Sequence, residues 1–315
     1  MKISKENTSF GHYISGNELA ITKYIIDSEK KGKNIYIHSG IHGGEITYYI
    51  IEKLFNYIKE NLIEGKVVLV PCANPLSWLQ KNYFYTHGKF NLYDGNDWNN
   101  YFPGKKDGSL GERMSYAIFE EAKKADLILD LHTSRKSFVF SMPSEKKYFP
   151  IVKTLGLKYN HFCDDKATPK TEHTITAQSD IAGIDNLTIE CGSHDEYNES
   201  NVNEVYEGIL RILESYKLIN KNSSIPTTHK DIQVFYNPKK FVAPETGFGI
   251  FHKQLGEEFK KGDLIYSIYT PHNFGKHIDI NADIDGIIWK YSPTKTFWCG
   301  DDVLQYIIKD DLEKI

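Results

Sequence analysis

Arginine is scarce in this chain of 315 residues, which contains only Arg113, Arg135 and Arg211. Nearly all of the positive charge is therefore lysine, which cannot grip a carboxylate with the two parallel hydrogen bonds of a guanidinium. Positive charge is not in excess either, because 38 basic and 42 acidic residues give a formal net charge of -4 and are mixed along the chain. This composition does not favour nucleic acid or an anionic membrane surface as a partner.

Cysteines and long apolar segments are also sparse. The four cysteines are widely spaced and form no Cys-x-x-Cys pair, which argues against a disulfide framework and against a thiolate zinc site. The first residues contain no apolar leader, and no stretch approaches the roughly eighteen consecutive apolar residues of a membrane-spanning helix. We therefore expect a protein of the reducing cytoplasm that has no membrane partner.

The first two-thirds of the chain alternates strand-like and helix-like patterns. The strand-like segments are 34–40, 66–74, 126–134, 137–143 and 187–192, and the helical patterns cover 45–62, 111–125, 147–157 and 199–219. A long polar loop at 75–110 interrupts the alternation, and its aromatic residues argue against disorder. This alternation predicts an α/β domain with a largely parallel or mixed central sheet flanked by helices.

The pattern changes after a polar Ser/Thr/Pro run at 220–230. From residue 231 onward, short strand-like pieces are separated by glycine and aspartate turns, which predicts a small all-β domain. We place the catalytic α/β domain at 1–225 and the C-terminal β domain at 226–315.

Four residues that could bind metal or transfer protons follow predicted strands. His42 and Glu45 lie three apart in the glycine-rich turn "GIHGGE", which on its own fits solvated polar side chains as well as a metal site. His132 and Glu190 also stand at the C-terminal ends of predicted strands, the edge where α/β sheets bind ligands. His42, Glu45 and His132 would supply the three ligands of a catalytic zinc, and Asp130 could orient His132.

Five motifs, "GIHGGE", "ANPLSW", "DWNNYFPG", "ADLILDLHT" and "LTIECG", follow one another along the chain. In these motifs and their order the chain resembles the succinylglutamate desuccinylase/aspartoacylase family, a branch of the zinc carboxypeptidase-like (M14-type) proteins, over nearly its whole length. The resemblance implies one Zn²⁺ per chain, bound by His42, Glu45 and His132, with Glu190 as the catalytic base.

The chain departs from the family pattern at the residues expected to recognise the substrate. Where the family carries a carboxylate-binding arginine this chain has Asn100, and the position of a second, upstream arginine falls on Lys89; Asn99 is retained. We expect Lys89 or Asn99 to face the developing oxyanion or a substrate carboxylate. Arg113 and Arg135, the latter three residues after His132, remain candidates for binding the substrate.

The expected activity is zinc-dependent hydrolysis of an amide, namely the deacylation of an N-acyl amino acid or a related small amide. A metallocarboxypeptidase acting on a peptide C-terminus and a non-catalytic metal- or ligand-binding relative remain alternatives. The C-terminal pieces resemble the hairpin halves of biotinyl-like (barrel-sandwich) domains, but the tip at 282–286 has no lysine to carry a prosthetic group. The sequence leaves open assembly into a homo-oligomer.

Overall fold

The structure, a computed structural model, describes residues 1–83, 86–163, 172–226 and 231–315. The described strands are β1 (Lys2–His12), β2 (Glu18–Asp27), β3 (Asn34–Ser39), β4 (Lys66–Val70), β5 (Leu127–Ser134), β6 (Lys136–Ser137), β7 (Phe140–Met142), β8 (Tyr159–His161), β9 (Asp185–Ser193), β10 (Gln233–Phe235), β11 (Lys239–Val242), β12 (Gly247–Phe251), β13 (Glu258–Phe259), β14 (Leu264–Tyr269), β15 (His277–Asn281), β16 (Gly286–Tyr291), β17 (Thr296–Phe297), β18 (Asp302–Ile308) and β19 (Glu313–Lys314).

The described α-helices are α1 (Tyr48–Asn61), α2 (Pro75–Trp78), α3 (Leu110–Ala122), α4 (Phe149–Leu155), α5 (Ile175–Ile181) and α6 (Glu199–Ser215). None of these helices is both long enough and apolar enough to cross a lipid bilayer.

A ten-stranded mixed sheet forms the centre of the molecule, in the order β1-β2-β4-β3-β5-β9-β7-β8-β10-β19. Its middle strands β4, β3, β5 and β9 run parallel to one another and are almost entirely buried, as expected of strands covered on both faces. The α/β architecture predicted from the sequence is therefore confirmed. Because the middle strands are parallel, the loops that follow β3, β5 and β9 meet at one edge of the sheet.

Helices cover both faces of this sheet. Alternate side chains of β3 separate into two cores: Ile35 packs with residues of α1 and α6, including Leu54 and Ile209. Tyr36 packs with Met114 of α3 and its neighbours on the other face. The sheet is thus rigidly held between two helical layers, which fixes the positions of its strand ends.

The N-terminal residues form a hairpin that the sequence analysis did not assign. Strands β1 and β2 pair antiparallel over nearly their whole length, and β2 continues the sheet by pairing with β4.

Two predicted element boundaries also differ. Strand β4 ends at Val70, before Pro71, which has no N–H to donate to the sheet. Helix α1 begins at Tyr48 rather than Glu45, because residues 40–47 form the turn between β3 and the helix.

The C-terminal unit is built from two small antiparallel sheets. One contains β11-β18-β16-β13 with β6 added from the first unit, and the other has the order β15-β14-β12-β17. They enclose their own core, which includes Phe241, Tyr266 and Leu304. The unit is all-β, as expected, while its barrel-sandwich subtype stays a prediction.

Strands are exchanged across the predicted division at 225/226. Although β10 and β19 follow the division, they lie in the large sheet, where β10 pairs with β8 and β19 pairs with β10. In the opposite direction, β6 pairs with β16 of the C-terminal unit. The predicted boundary therefore stays a prediction, and residues 227–230 of the polar run lie outside the described residues.

Candidate metal centre

Three buried side chains converge at the C-terminal edge of the large sheet. His42 and Glu45 lie in the turn after β3, and His132 lies near the end of β5, which pairs directly with β3. Nδ1 of His42 and Nδ1 of His132 are each 2.9 Å from Oε1 of Glu45. One potential ligand atom from each residue lies within 4.8 Å of the others, an arrangement that could hold a metal ion.

Glycines allow the turn after β3 to bring His42 and Glu45 together. Gly44 has a φ of +86°, a conformation that favours glycine. A Cβ atom at Gly43 would lie 2.3 Å from the backbone oxygen of Ser77, so the turn packs too closely against helix α2 for any side chain. The "GIHGGE" motif therefore reflects both backbone geometry and the placement of two candidate ligands.

Carboxylates occupy the other ring nitrogen of each histidine. Oδ2 of Asp130 is 2.9 Å from Nε2 of His132, and Oδ1 of Asp97 is 2.7 Å from Nε2 of His42. Both Nδ1 atoms therefore face Glu45. In metal sites, a carboxylate on the opposite ring nitrogen is the contact that orients a histidine ligand. Sequence analysis anticipated Asp130 in this position but missed Asp97, whose only signal was its place in the motif "DWNNYFPG".

The centre carries an excess of negative charge that suits a cation. Burial alone would raise the pKa of Glu45, but the imidazoles of His132 and His42 outweigh burial and hold that pKa well below its ordinary value. Burial likewise would lower the pKa of His132, yet Asp130 and Glu45 raise it well above its ordinary value. With three carboxylates around two histidines, the residues present fit a divalent metal with nitrogen and oxygen ligands.

Glu190 lies beside this group on the next strand. It is the register partner of His132 in the parallel pair β5–β9. Its Oε2 atom is buried and has no hydrogen-bond partner in the described part of the chain. A carboxylate oxygen without a partner, next to a potential metal site, is available to accept a proton.

The comparisons with known proteins agree with this geometry. Residues 31–216 match the family model described as the succinylglutamate desuccinylase/aspartoacylase catalytic domain. The chain belongs to the succinylglutamate desuccinylase/aspartoacylase family. No curated protein sequence matches the chain significantly.

Solved structures of this family share the fold of the whole chain. A succinylglutamate desuccinylase/aspartoacylase family protein from Shewanella amazonensis is 20% identical, with a TM-score of 0.83 over 99% of this chain and 100% of that one. A relative from Shewanella frigidimarina is 18% identical, with a TM-score of 0.84 over 99% and 98%. The product-bound ectoine utilization protein EutE (DoeB) from Ruegeria pomeroyi is 16% identical, with a TM-score of 0.80 over 98% and 95%.

Three residues that the sequence predicted to recognise the substrate lie near the centre. The side-chain nitrogen of Asn99 is 3.4 Å from Nε2 of His132. Nζ of Lys89 forms an ion pair of 2.7 Å with Oδ2 of Asp97, and the lysine side chain is more than half exposed. The backbone N–H of Asn100 donates to the carbonyl of Asp97. Lys89 thus reaches the rim of the centre through Asp97, which also contacts His42, whereas Asn99 lies directly beside His132.

The two arginines that were candidates for substrate binding lie in different places. Arg135 is exposed and directly follows β5, close to the carboxyl edge of the sheet. Arg113 lies on α3, where its guanidinium faces Gly11 of β1, 3.6 Å from the position that a Cβ atom would occupy there. Because β1 forms the far edge of the sheet, the described contacts do not join Arg113 to His42, Glu45 or His132, and its role stays a prediction.

Proposed function

We propose that this member of the family is a zinc-dependent hydrolase that cleaves the amide bond of an N-acyl amino acid or a related small amide. The observation that carries the proposal is the convergence of His42, Glu45 and His132 on one point, with Glu190 beside His132 in the strand register. Membership of a desuccinylase and aspartoacylase family supports amide-bond deacylation as the reaction class.

His42, Glu45 and His132 would hold one zinc ion per chain. Their side chains are nearly fully buried, and Asp97 and Asp130 fix the two imidazole rings from behind. When bound, a zinc ion lowers the pKa of a coordinated water toward about 7 and polarises a substrate carbonyl. The carboxylates behind the histidines accept the Nε2 protons, so that both Nδ1 atoms remain free to bind the metal.

Glu190 would act as the general base and then as the general acid. Its buried Oε2 has no competing hydrogen bond in the described chain, so it can take a proton from the attacking water and give it to the leaving nitrogen. Asn99 and Lys89 would donate hydrogen bonds to the developing oxyanion or to a carboxylate of the substrate. Asn100, Arg135 and Arg113 remain the other proposed contributors to substrate binding.

The base assignment is tested by Glu190→Gln, with Glu60→Gln on α1 as the control. The amide keeps the size of the side chain but cannot accept the proton, so we expect turnover to fall by about 10²- to 10⁴-fold. Zinc content should stay near one per chain. Wild type is first screened on N-acyl amino acids and short peptides, and both variants are then assayed on the best substrate. A Glu190→Gln protein that retains a third of wild-type turnover would contradict the assignment.

The metal assignment is tested separately by His132→Ala. Removing one of three protein ligands should lower the bound zinc well below one per chain, as measured by plasma emission spectrometry of protein purified without added metal. Glu60→Gln is again the control and should keep full occupancy. Full occupancy in His132→Ala would remove His132 from the metal site. In the substrate screen of the wild type, hydrolysis of peptides but not of N-acyl amino acids would favour a carboxypeptidase.

A further inference from the structure

A further buried histidine lies behind the candidate metal centre, and the proposed reaction does not use it. His38 is on β3, just before the turn that carries His42, and its side chain is 1% exposed. Its Nε2 atom is 2.6 Å from Oδ1 of Asp130, whose side chain is 3% exposed. The other carboxylate oxygen of Asp130, Oδ2, is 2.9 Å from Nε2 of His132. Asp130 therefore joins His38 to one of the three candidate ligands.

The pairing of β3 with β5 brings these three side chains together. His38 is the register partner of Asp130 in that parallel pair. Asp130 and His132 are two residues apart on β5 and therefore face the same side of the sheet. Two residues earlier on that side, Tyr36 of β3 and Ile128 of β5 belong to an apolar core, and the ring of His38 lies edge-on to that of Tyr36. His38 thus occupies a position where the neighbouring side chains form an apolar core.

A buried imidazole in an apolar core needs a hydrogen-bond partner, and Asp130 supplies it. Because an ionised carboxylate only accepts hydrogen bonds, Nε2 of His38 must donate to Asp130. Nδ1 of His38 is buried and has no hydrogen-bond partner within the described part of the chain. The neutral ring with its proton on Nε2 is therefore the form that leaves no donor unsatisfied. In this form His38 holds Oδ1 of Asp130 through one N–H group.

A donor at Oδ1 restricts how the Asp130 carboxylate can turn. While His38 holds Oδ1, Oδ2 stays within hydrogen-bond distance of Nε2 of His132. That contact keeps the His132 proton on Nε2 and leaves Nδ1 unprotonated for a metal. No other side chain of the described residues hydrogen-bonds to Oδ1. Loss of the His38 donor would therefore release the carboxylate that orients His132.

We propose that His38 is a positioning residue of the metal centre, which acts through Asp130 to hold His132 in the orientation that binds the metal. The proposal rests on the proposed function, since it concerns the same zinc site. It adds an imidazole to the contacts behind the metal, in the order His132, Asp130, His38. Strand β3 then contributes to metal affinity through His38, in addition to the ligands in the turn that follows it.

The zinc affinity of the full chain tests this proposal without requiring turnover. Metal-free protein is titrated with zinc against a competing chromophoric chelator. His38→Met removes the donor at similar size and should weaken zinc binding about 10- to 100-fold, the usual effect of losing a contact behind a metal ligand. In His38→Gln the amide N–H can replace the ring N–H, so the dissociation constant should stay within about threefold of wild type. His38→Leu is a second donor-free variant if the methionine variant does not fold.

A double variant separates an effect through Asp130 from a general loss of stability. In an Asp130→Ala background, His38→Met should change zinc affinity by less than about threefold, because residues that act through one another are not additive. His161→Met is the matched control. It removes another imidazole that packs on an aromatic ring, that of Phe235, and should keep the wild-type zinc affinity even where urea denaturation shows a loss of stability.

Four results would overturn the proposal. They are wild-type zinc affinity in the donor-free variants, equal weakening in His38→Gln and His38→Met, an equal loss in His161→Met, or a full loss that persists in the Asp130→Ala background. If the Asp130→Ala protein does not fold, the contrast between the glutamine and methionine variants decides. Failure of the proposed function shows differently, as a zinc-loaded wild type that hydrolyses no amide or as an active Glu190→Gln variant.

Discussion

At the scale of single residues, every ring nitrogen of the two histidines in the candidate centre faces a carboxylate. Nδ1 of each faces Glu45, and Nε2 of each faces a carboxylate, Asp97 or Asp130. Because a metal ligand nitrogen must be unprotonated, the carboxylates favour the tautomer with the proton on Nε2. Asp130 also contacts His38 at 2.6 Å. Loss of a carboxylate behind a histidine should therefore weaken metal binding even though it removes no ligand.

His161 shows how an uncharged, partly buried histidine makes stability depend on pH. Its ring stacks on Phe235 at 5.0 Å and lies edge-on to Trp289. Burial, together with the nearby charge of Lys290, lowers the pKa of His161 from its ordinary 6.5 to about 4. The folded state therefore favours neutral His161, while the unfolded chain takes up a proton below pH 6.5. Stability from this residue is complete above pH 6.5 and is lost as the pH falls toward 4.

We predict that His161→Phe removes this part of the pH dependence. Between pH 7.5 and pH 5, the free energy of unfolding of wild type should fall by about 1 to 2 kcal/mol more than that of the variant, allowing for partial solvent screening. Urea denaturation at the two pH values measures the difference. The same substitution at the exposed His272 is the control and should behave as wild type. Equal pH dependence in wild type and His161→Phe would contradict a neutral His161 in the folded state.

At the scale of elements, the turn between β3 and α1 depends on close backbone packing. Gly43 donates a backbone hydrogen bond to Gly88, and a Cβ at Gly43 would overlap the Ser77 carbonyl. Helix α2 and the loop after it therefore support the turn that carries His42 and Glu45. A side chain at this point would separate the two segments and move the candidate ligands.

We predict that Gly43→Ala destabilises the fold by about 1 to 3 kcal/mol, the usual cost of overpacking, and lowers zinc content. Gly11→Ala is a matched control, because a Cβ there meets its nearest atom, in Arg113, at an ordinary 3.6 Å. That control should change stability by no more than about 0.5 kcal/mol. Thermal or urea unfolding and metal analysis of both variants provide the measurements. Equally small effects in the two variants would show that the turn accommodates a Cβ at Gly43 by a small backbone shift, which would contradict the prediction.

The sequence predicted the elements whose signals are local. Continuous apolar runs located β3, β5 and β9, and the rule that parallel strands present ligands at their carboxyl ends brought His42, His132 and Glu190 together. The β1–β2 hairpin was missed because no marked apolar run accompanies the turn through Tyr13 and Gly16 that joins its two strands. The contact of Asp97 with His42 joins residues 55 positions apart. Such contacts depend on tertiary packing, which a local sequence pattern does not predict.

The same reason explains why the sequence did not place Lys290 beside β6. It lies 100 residues after Glu190, in a unit predicted to be separate from the chemistry. Its position near β9 arises from the pairing of β16 with β6, whose second residue, Ser137, begins the predicted strand-like segment 137–143. In the structure that segment divides, and β6 and β7 enter different sheets. Strand registers between distant segments are set by packing and turn geometry together.

At the scale of the whole molecule, an aromatic cluster joins the two units. Phe140 of β7 and Phe235 of β10 belong to the large sheet, whereas Trp289 of β16 and Ile307 of β18 belong to the C-terminal unit; all four are buried together. The Trp289 ring lies 4.9 Å from both phenylalanine rings. With the strand exchange by β6, this contact makes part of the junction between the units apolar and buried. We therefore expect the large sheet and the C-terminal unit to unfold together.

We predict that Trp289→Ala lowers the free energy of unfolding of the whole chain by about 3 to 5 kcal/mol, because it leaves a large cavity in the shared cluster. Trp298→Ala removes the same side chain from a site in the same unit that is 75% exposed, and should change stability by no more than about 0.5 kcal/mol. Calorimetry and urea denaturation, followed by far-UV circular dichroism, measure both variants. If Trp289→Ala instead gave a separate early transition while the large sheet kept its wild-type midpoint, the two units would be shown to unfold independently.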